Sequence, residues 1–277
     1  MIKTVKDRVW AFDLEWVPDP LAGRLLHEIP ESVESPREIM EVMWREGGAS
    51  EEDPTPFLKT VVCRIVSIAV VERRAKGDDG EPTLTLLSLP KDPAREDEAR
   101  EANLVGTFLE AVGKHRPQLV GFNSADSDLK ILIQRGVILG VQAGGFSQRP
   151  DKPWEDWNLD LKKLVGGFGK AVPSLHELAV QCGIPGKLGV DGNDVAGMWL
   201  EGRLAEIVAY NEFDALTTYL VWLRMAHFSG HFSASAYARE QDHVRELILR
   251  ESAAGAKPHL LRYQDEWERL RAATGER

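Results

Sequence analysis

The sequence lacks the marks of secreted and membrane-embedded proteins. Its 277 residues include two cysteines, Cys63 and Cys182, and no CxxC pair, which favours thiols in a reducing compartment over a disulfide framework. No apolar run reaches the length of a membrane span, and the first ten residues, MIKTVKDRVW, contain no apolar signal-peptide core. These absences predict a cytoplasmic protein.

An excess of basic residues is also missing. The net charge is −10, and so acidic a chain is not typical of nucleic-acid-binding proteins. The acidity is concentrated, however, because residues 27–57 hold nine acids against two arginines, whereas residues 158–190 hold four lysines against two acids. The net charge is therefore a poor guide to the surface that binds a ligand.

A complete phosphate-binding loop is absent as well. GGFGK and IPGK each contain part of the GxxxxGK[ST] motif, but Ala171 and Leu188 follow their lysines. The motif requires serine or threonine at that position. Both stretches are therefore interpreted as turns.

The sequence does contain alternating strand and helix patterns. A strand is predicted from about Arg8 to Leu14, and then a mobile acidic insertion at about 17–57 with a short helix in SPREIMEVMWRE, capped by Ser35. VVCRIVSIAVVER and TLTLLSLP are predicted to form a hairpin through the turn KGDDGEP, and QLVGF and NLDL to form two further strands. Helices are predicted at 95–115, at 127–136 (ended by Gly136), at 173–183, at 203–228 (long and amphipathic), and at about 232–252 and 258–272.

This order of elements predicts an α/β protein with a central mixed β-sheet flanked by helices. A chain of this length that is 43% hydrophobic can bury the core of such a domain. Residues 1–230 are expected to form one domain that carries the insertion, and residues 231–277 a helical extension packed on it.

The first strand carries two acids. In VWAFDLEW, residues 9–16, side chains alternate, so Asp13 and Glu15 share a face with Val9 and Ala11. A strand that runs out into solvent would explain the pair. The alternative is a divalent-metal site, because like charges on one face repel unless a cation lies between them, and oxygen-only ligands suit magnesium or manganese.

Two later motifs place acids where α/β folds bind ligands. In GFNSADSDLKIL, Asn123 follows a strand and Asp128 begins a helix, which suits either a helix cap or the ligand-binding edge of the sheet. In YNEFDALTTYL, Tyr210 and Asp214 are four apart and share a helix face. An acid in an apolar stripe needs either water or a partner.

Taken in order, the motifs D-x-E, N-x4-D and Y-x3-D resemble those of the DEDD 3'-5' exonucleases of the ribonuclease H-like fold. The subclass is the one with tyrosine, since Ala209 occupies the position of the histidine in the other subclass. The chain is similar to stand-alone bacterial exonucleases related to the proofreading domain of family B DNA polymerases, as in SLHELAVQCGIPGK and EGRLAEIVAYNEFDALTTYLVWLR. The resemblance covers roughly Arg8 to Phe228 and implies that residues 1–230 are the exonuclease domain.

This resemblance implies a set of catalytic residues and a cofactor. The family's four metal carboxylates fall on Asp13, Glu15, Asp128 and Asp214, and its tyrosine falls on Tyr210. Two divalent cations, Mg2+ or Mn2+, are expected. Asp13 would bridge both ions, Glu15 and Asp214 would complete the shell of the ion that carries the attacking water, and Asp128 would hold the other.

The implied substrate is the 3' end of single-stranded nucleic acid, with DNA favoured and RNA left open. Candidate substrate contacts are Leu14, Trp16, Asn123, Ser127 and Lys187. Relatives usually carry threonine in place of Trp16 and phenylalanine in place of Ser127, where these groups hold the terminal nucleotide. The alternatives are an RNA-trimming exonuclease of the same fold and a catalytically weak nucleic-acid-binding relative.

Other side chains are candidates by residue type. Phosphate contact, with a solvated surface as the alternative, is considered for Lys162, Lys163 and Lys170. Base stacking, with loop packing as the favoured alternative, is considered for Phe146, Trp154 and Trp157. His227 and His231 are spaced like a metal pair, but Gly230 interrupts the helix between them and no third ligand is evident, so no metal site is expected there.

Overall fold

The computed structural model describes residues 1–76, 81–150, 155–166, 171–189, 192–253 and 257–275. A five-stranded sheet with the order β3-β2-β1-β4-β5 lies at its centre. The strands are β1 (Arg8–Pro18), β2 (Cys63–Arg74), β3 (Thr83–Leu89), β4 (Gln118–Gly121) and β5 (Asn158–Asp160). The first three are antiparallel neighbours, whereas β4 runs parallel to both β1 and β5. The predicted α/β class with a mixed sheet is confirmed.

Helices cover both faces of this sheet. In chain order they are α1 (Pro20–Leu26), α2 (Pro36–Glu46), α3 (Glu96–Ala99), α4 (Glu101–His115), α5 (Asp128–Ile138), α6 (Gly144–Ser147), α7 (Leu161–Gly166), α8 (Leu175–Gln181), α9 (Val195–Leu200), α10 (Leu204–Phe228), α11 (Ala234–Ala253) and α12 (Leu260–Thr274). Among the described residues, no helix is both long enough and apolar enough to cross a bilayer.

The first strand divides two hydrophobic cores. Val9 and Ala11 pack with α10, α11 and α12 on one face of the sheet. Trp10 and Phe12 pack with α4 and α5 on the other face. The alternation read from the sequence therefore holds, and it places Asp13 and Glu15 on the side of α10.

The long helix α10 is central rather than amphipathic. Four consecutive residues, Leu220, Val221, Trp222 and Leu223, are all buried, and four consecutive residues span the whole circumference of a helix. The reason is that α8, α9 and α11 pack on α10 in addition to β1 and β2. The prediction of a one-sided helix was wrong, and the candidate site residues of α10, Tyr210 and Asp214, instead lie on a helix that is enclosed on several sides.

The acidic insertion is packed against the body of the protein. Ser35 caps α2 and Pro36 is its first residue, as the sequence predicts. Met40 and Trp44 are buried with Val17 and Tyr210 in one cluster, which contradicts a mobile segment for α2. The acids of this helix lie on its exposed side.

Two predicted helix boundaries differ in the structure. The helix expected at 95–115 is broken at Arg100, whose ψ of 125° is extended, and the side chain of Glu101 turns inward to accept a hydrogen bond from the Ile65 backbone amide at 2.8 Å. The helix α5 continues past Gly136, which lies so close to α4 that an added Cβ would sit 3.2 Å from Leu109. The KGDDGEP turn falls mostly on residues 77–80, outside the described ranges.

The C-terminal helices share the main core. Leu247 of α11 and Trp267 of α12 are buried in the same cluster as α10. A buried ion pair joins Arg73 of β2 to Glu240 of α11. Residues 231–277 thus contribute packing around the helix that carries Tyr210, and their description as an extension stays a prediction.

Candidate active site at the carboxyl end of the sheet

The carboxyl end of β1 presents the first two acids. Asp13 is paired with Ala69 of β2 and Glu15 with Ser67, and the register shifts between Glu15 and Trp16. A bulge of this kind re-aims the next side chain. Asp13 and Glu15 therefore remain on the face of α10, and Trp16 follows an irregularity in the ladder.

The turn after β4 brings in the third acid. An added Cβ at Gly121 would lie 2.4 Å from the Cβ of Ser124, so the chain can turn this tightly only over glycine. Asn123 has φ +66°, a left-handed conformation that asparagine tolerates better than most residues. Asp128 then begins α5 and is 3% exposed.

Hydrogen bonds fix the Asp128 carboxylate. The Leu14 backbone amide donates to its Oδ1 at 3.2 Å, which ties α5 to β1. The Ser127 hydroxyl lies 2.6 Å from its Oδ2 and 2.8 Å from the backbone carbonyl oxygen of Asn123. A hydroxyl has one proton, so Ser127 can donate to only one of these acceptors at a time.

The helix α10 supplies the remaining two groups. Tyr210 and Asp214 are one turn apart and hydrogen-bonded to each other. The Asn211 amide donates to the Ser67 hydroxyl at 3.0 Å, and Ser67 is the β2 partner of Glu15. This bond fixes the position of α10 along the strand pair and so sets Asp214 beside the acids of β1.

Three of the acids form a compact group, which we call the acid cluster: Asp13, Glu15 and Asp214. One carboxylate oxygen from each lies within 4.8 Å of the others. Asp128 lines the same cleft, whose volume is about 460 Å³. The predicted substrate contacts also line it: Leu14, Trp16, Asn123, Ser127 and Lys187.

The charges in the cleft perturb one another. Burial, followed by the charges of Asp128, Asp214 and Glu15, holds the pKa of Asp13 well above its ordinary value. Burial raises the pKa of Asp128 to about 6, although the hydrogen bonds from Ser127 and Leu14 oppose the rise. The charged forms are thus costly without a counter-ion.

Burial also raises the pKa of the Tyr210 phenol well above its ordinary value, and the neighbouring acids, Asp214 first among them, add to this effect. The hydroxyl therefore stays protonated at neutral pH. It can donate a hydrogen bond, but it cannot serve as a base.

The donor set fits a hard divalent cation. The acid cluster offers only carboxylate oxygens, which magnesium and manganese prefer, and no nitrogen or sulfur ligand of the kind that selects zinc. Burial, followed by repulsion from the neighbouring acids, raises the pKa of Asp13, and a bound cation would stabilise its charged form.

A further aspartate, Asp160 at the end of β5, organises the turn that carries Asn123. Its Oδ1 accepts hydrogen bonds from the backbone amides of Asn123 (2.9 Å) and Lys162 (3.1 Å). Its Oδ2 accepts from the Ala125 amide at 3.1 Å. The sequence pattern of NLDL predicted only a strand. An acid at the carboxyl end of a strand, beside a ligand-binding turn, could have indicated that Asp160 belongs to the site.

Several other candidates lie away from the cleft. Phe146 packs under Arg149 and Trp157 under Lys6, so both are loop-packing residues. Lys162 and Lys163 do not line the cleft, although Lys163 pairs at 3.1 Å with the exposed Asp126 at its edge. Trp154, Lys170 and most of GGFGK lie outside the described residues.

The two histidines make separate contacts with the backbone. His227 Nδ1 lies 2.7 Å from the carbonyl oxygen of Phe232, and His231 Nε2 lies 3.1 Å from that of Ile2. Each ring therefore makes its own contact with the backbone.

The mixed five-stranded sheet flanked by helices, with acids at its carboxyl end, is consistent with a ribonuclease H-like exonuclease fold. A family model described as a predicted 3'-5' exonuclease related to the exonuclease domain of PolB matches residues 55–267. Because the match covers more than half of the chain, the protein belongs to this family. Asp128 and Asp214 lie inside the matched residues, whereas Asp13 lies before them, and the fold brings them together. No curated protein matches the chain.

Proposed function

We propose that the protein is a metal-dependent 3'-5' exonuclease that hydrolyses single-stranded DNA from its 3' end and releases nucleoside 5'-monophosphates. The observation that carries the proposal is the acid cluster, with carboxylate oxygens within 4.8 Å of one another, in a chain of this exonuclease family. DNA is favoured over RNA because the family is related to a polymerase exonuclease domain.

Two divalent cations, Mg2+ or Mn2+, are the proposed cofactors. Asp13 is the carboxylate suited to bridging them, since it interacts with Asp128 as well as with Glu15 and Asp214. Glu15 and Asp214 would complete one ion's shell, and Asp128 would hold the other. When bound, the ions would activate the attacking water and stabilise charge on the leaving 3'-oxygen.

The chain's own groups position the reactants. Leu14 and Ser127 keep the Asp128 carboxylate in one orientation through their hydrogen bonds. Asn123 and Lys187 line the cleft beside the acids, where an amide and an ammonium group suit the terminal sugar and the phosphates of a strand. The Tyr210 hydroxyl, which is hydrogen-bonded to Asp214 in this structure, can accept a hydrogen bond from the attacking water and so orient it.

The direct test is an assay on a single-stranded DNA labelled at its 5' end, with a matched RNA of the same sequence. We expect stepwise shortening in Mn2+, mononucleotide products, and no reaction in excess chelator or with Asp214→Asn. Shortening from the 5' end, or activity that survives chelation, would contradict the proposal. Faster RNA hydrolysis would assign the enzyme to RNA trimming, and binding without hydrolysis would identify a non-catalytic relative.

Tyr210→Phe is expected to lower kcat about tenfold, the equivalent of one lost hydrogen bond in the transition state. The loss should be the same from pH 6 to 9, because the raised pKa keeps the wild-type hydroxyl protonated throughout this range. Parallel pH–rate profiles of the two proteins check this prediction. A difference that grows with pH would instead identify Tyr210 as a base.

Mn2+ affinity is expected to rise with pH across the range around 6. The folded-state pKa of Asp128 is about 6, so this acid holds a proton at pH 5 that a cation must displace, and the raised pKa of Asp13 acts in the same direction. Titration calorimetry at pH 5, 6, 7 and 8 in two buffers of different ionisation enthalpy measures affinity and proton release together. Constant affinity from pH 5 to 7 would show that the acids are already ionised.

A further inference from the structure

One aromatic side chain at the mouth of the cleft is exposed without an evident packing role. Phe57 is 78% exposed and lines the cleft together with the acid cluster. Among the large apolar side chains that are exposed in the described residues, it is the one that lines this cleft. An apolar ring left in water beside a charged site is suited to contact with a ligand.

The exposure of Phe57 does not come from a loose segment. The next residue, Leu58, packs against two of the hydrophobic clusters. The Thr60 hydroxyl donates to the Gln134 side chain on α5 at 2.8 Å, and the Asp19 amide donates to the Val62 carbonyl at 2.9 Å. The backbone on the C-terminal side of Phe57 is thus held to the core, while its ring projects from it.

Trp16 lies beside Phe57. Both residues line the cleft and a smaller adjoining cavity of about 50 Å³, and Trp16 is partly buried against the cluster that contains α4 and α5. Trp16 directly follows the bulge after Glu15, so it continues the strand that presents two acids. Two aromatic side chains are therefore grouped within the same cleft as the proposed catalytic carboxylates.

We propose that Phe57, with Trp16, forms a stacking surface for the base of the 3'-terminal nucleotide. This inference rests on the proposed exonuclease function, because it requires the scissile phosphate to lie at the acid cluster. Every base has a π-face, so aromatic stacking binds single strands with little sequence preference. A terminal base that is paired stays stacked in its duplex, so only an unpaired terminal base can lie against this surface. Phe57 is therefore a determinant of specificity for single strands.

The test compares Phe57→Ala, Phe57→Trp and a matched control, Phe228→Ala. Phe228 is 74% exposed at the end of α10 and does not line the cleft. On single-stranded DNA we expect Phe57→Ala to lower kcat/KM about tenfold, mainly through KM. Phe57→Trp should restore at least half of the loss, and Phe228→Ala should match the wild type.

A second strand, identical except for an abasic 3'-terminal nucleotide, isolates the stacking contact. The kcat/KM of the wild type should be about tenfold lower on the abasic strand than on the intact strand. The kcat/KM of Phe57→Ala, already lowered on the intact strand, should fall little further, because there is no base to stack. The inference would be overturned if Phe57→Ala lowered kcat/KM relative to the wild type by the same factor on both strands, or lowered it on neither.

A binding measurement separates this inference from the proposed function. A single-stranded DNA with 2-aminopurine at its 3' end and an uncleavable terminal linkage is titrated with protein in Mn2+, and its fluorescence is followed. Stacking should quench the emission with wild type and Phe228→Ala, and clearly less with Phe57→Ala. If the wild type hydrolyses no strand, the exonuclease proposal fails while this readout still decides the contact. Equal quenching by all three proteins would refute it.

Discussion

Replacing Asp13 with asparagine should lower exonuclease turnover about 10³-fold or more, and should at the same time raise the melting temperature of the metal-free protein. The loss in rate follows from the position of Asp13 among Glu15, Asp128 and Asp214, since the proposed mechanism has this carboxylate share both ions. A factor of 10³ corresponds to about 4 kcal/mol of transition-state stabilisation, the several kcal/mol that metal ions supply.

Although Asp13→Asn lowers the rate, it should raise the stability of the metal-free protein, for an electrostatic reason. Burial and three nearby acids raise the pKa of Asp13, which means that its charged form is disfavoured in the folded state relative to the unfolded chain. The contribution of Asp13 to the free energy of unfolding is fully present below its ordinary pKa of 3.8. It is lost as the pH rises through the raised pKa of the folded state. Asparagine removes the charge with little change in size, so the metal-free variant should be more stable at neutral pH.

Differential scanning fluorimetry in chelator and in millimolar Mn2+ tests both parts together. In chelator Asp13→Asn should melt above the wild type, by about 2–4 °C for each kcal/mol of repulsion removed. On addition of Mn2+ the wild type should gain stability and the variant should gain much less. An equal response of both proteins to the metal would show that Asp13 is not a ligand.

Asp126→Asn is the matched control. This residue lines the same cleft, but its side chain is 66% exposed and pairs with Lys163 at the surface. Such pairs contribute about 0–1 kcal/mol. Turnover and metal response should therefore stay within a few-fold of the wild type, which separates the effect of the acid cluster from that of negative charge in the cleft.

Strand alternation and motif spacing in the sequence predicted which faces of the strand and the helix carry the candidate site residues. The period-two pattern of β1 placed Asp13 and Glu15 on one face, and that face does meet α10. The four-residue spacing of Tyr210 and Asp214 placed both on one side of a helix. Local periodicity specifies which face a residue occupies, but the assignment of these acids to a common site came from the resemblance to the DEDD exonucleases.

What the sequence did not reveal depends on contacts between distant segments. The exposure of Phe57 is set by the packing of the partly buried Leu58 and by the Thr60–Gln134 hydrogen bond, neither of which leaves a periodic pattern in the sequence. Prolines and acids in the insertion indicated mobility, yet Met40 and Trp44 are buried against Val17. The enclosure of α10 was missed because α8, α9 and α11 pack on it from several sides, and the sequence pattern of α10 does not show which neighbours cover it.

Asp160→Ala should lower kcat about 100-fold and the free energy of unfolding by about 2–4 kcal/mol. The carboxylate accepts backbone hydrogen bonds from Asn123, Ala125 and Lys162, and buried amides left without an acceptor are costly. Without it, the turn between β4 and α5 loses its anchor. A displacement of about 1 Å in reacting groups can cost two orders of magnitude in rate, while substrate binding elsewhere in the cleft should change less.

Asp156→Ala separates a loss of positioning from a loss of stability. Asp156 lies just before β5, is 7% exposed, and accepts hydrogen bonds from the amides of Lys3 (2.6 Å) and Thr4 (2.9 Å). Its φ of +51° adds strain for alanine, so this variant should be destabilised at least as much as Asp160→Ala. Its kcat per folded molecule should nevertheless stay near the wild-type value, because its contacts are with the N-terminal segment. If the two variants lost kcat equally, Asp160 would be a structural residue and the turn at Asn123 would not need its carboxylate.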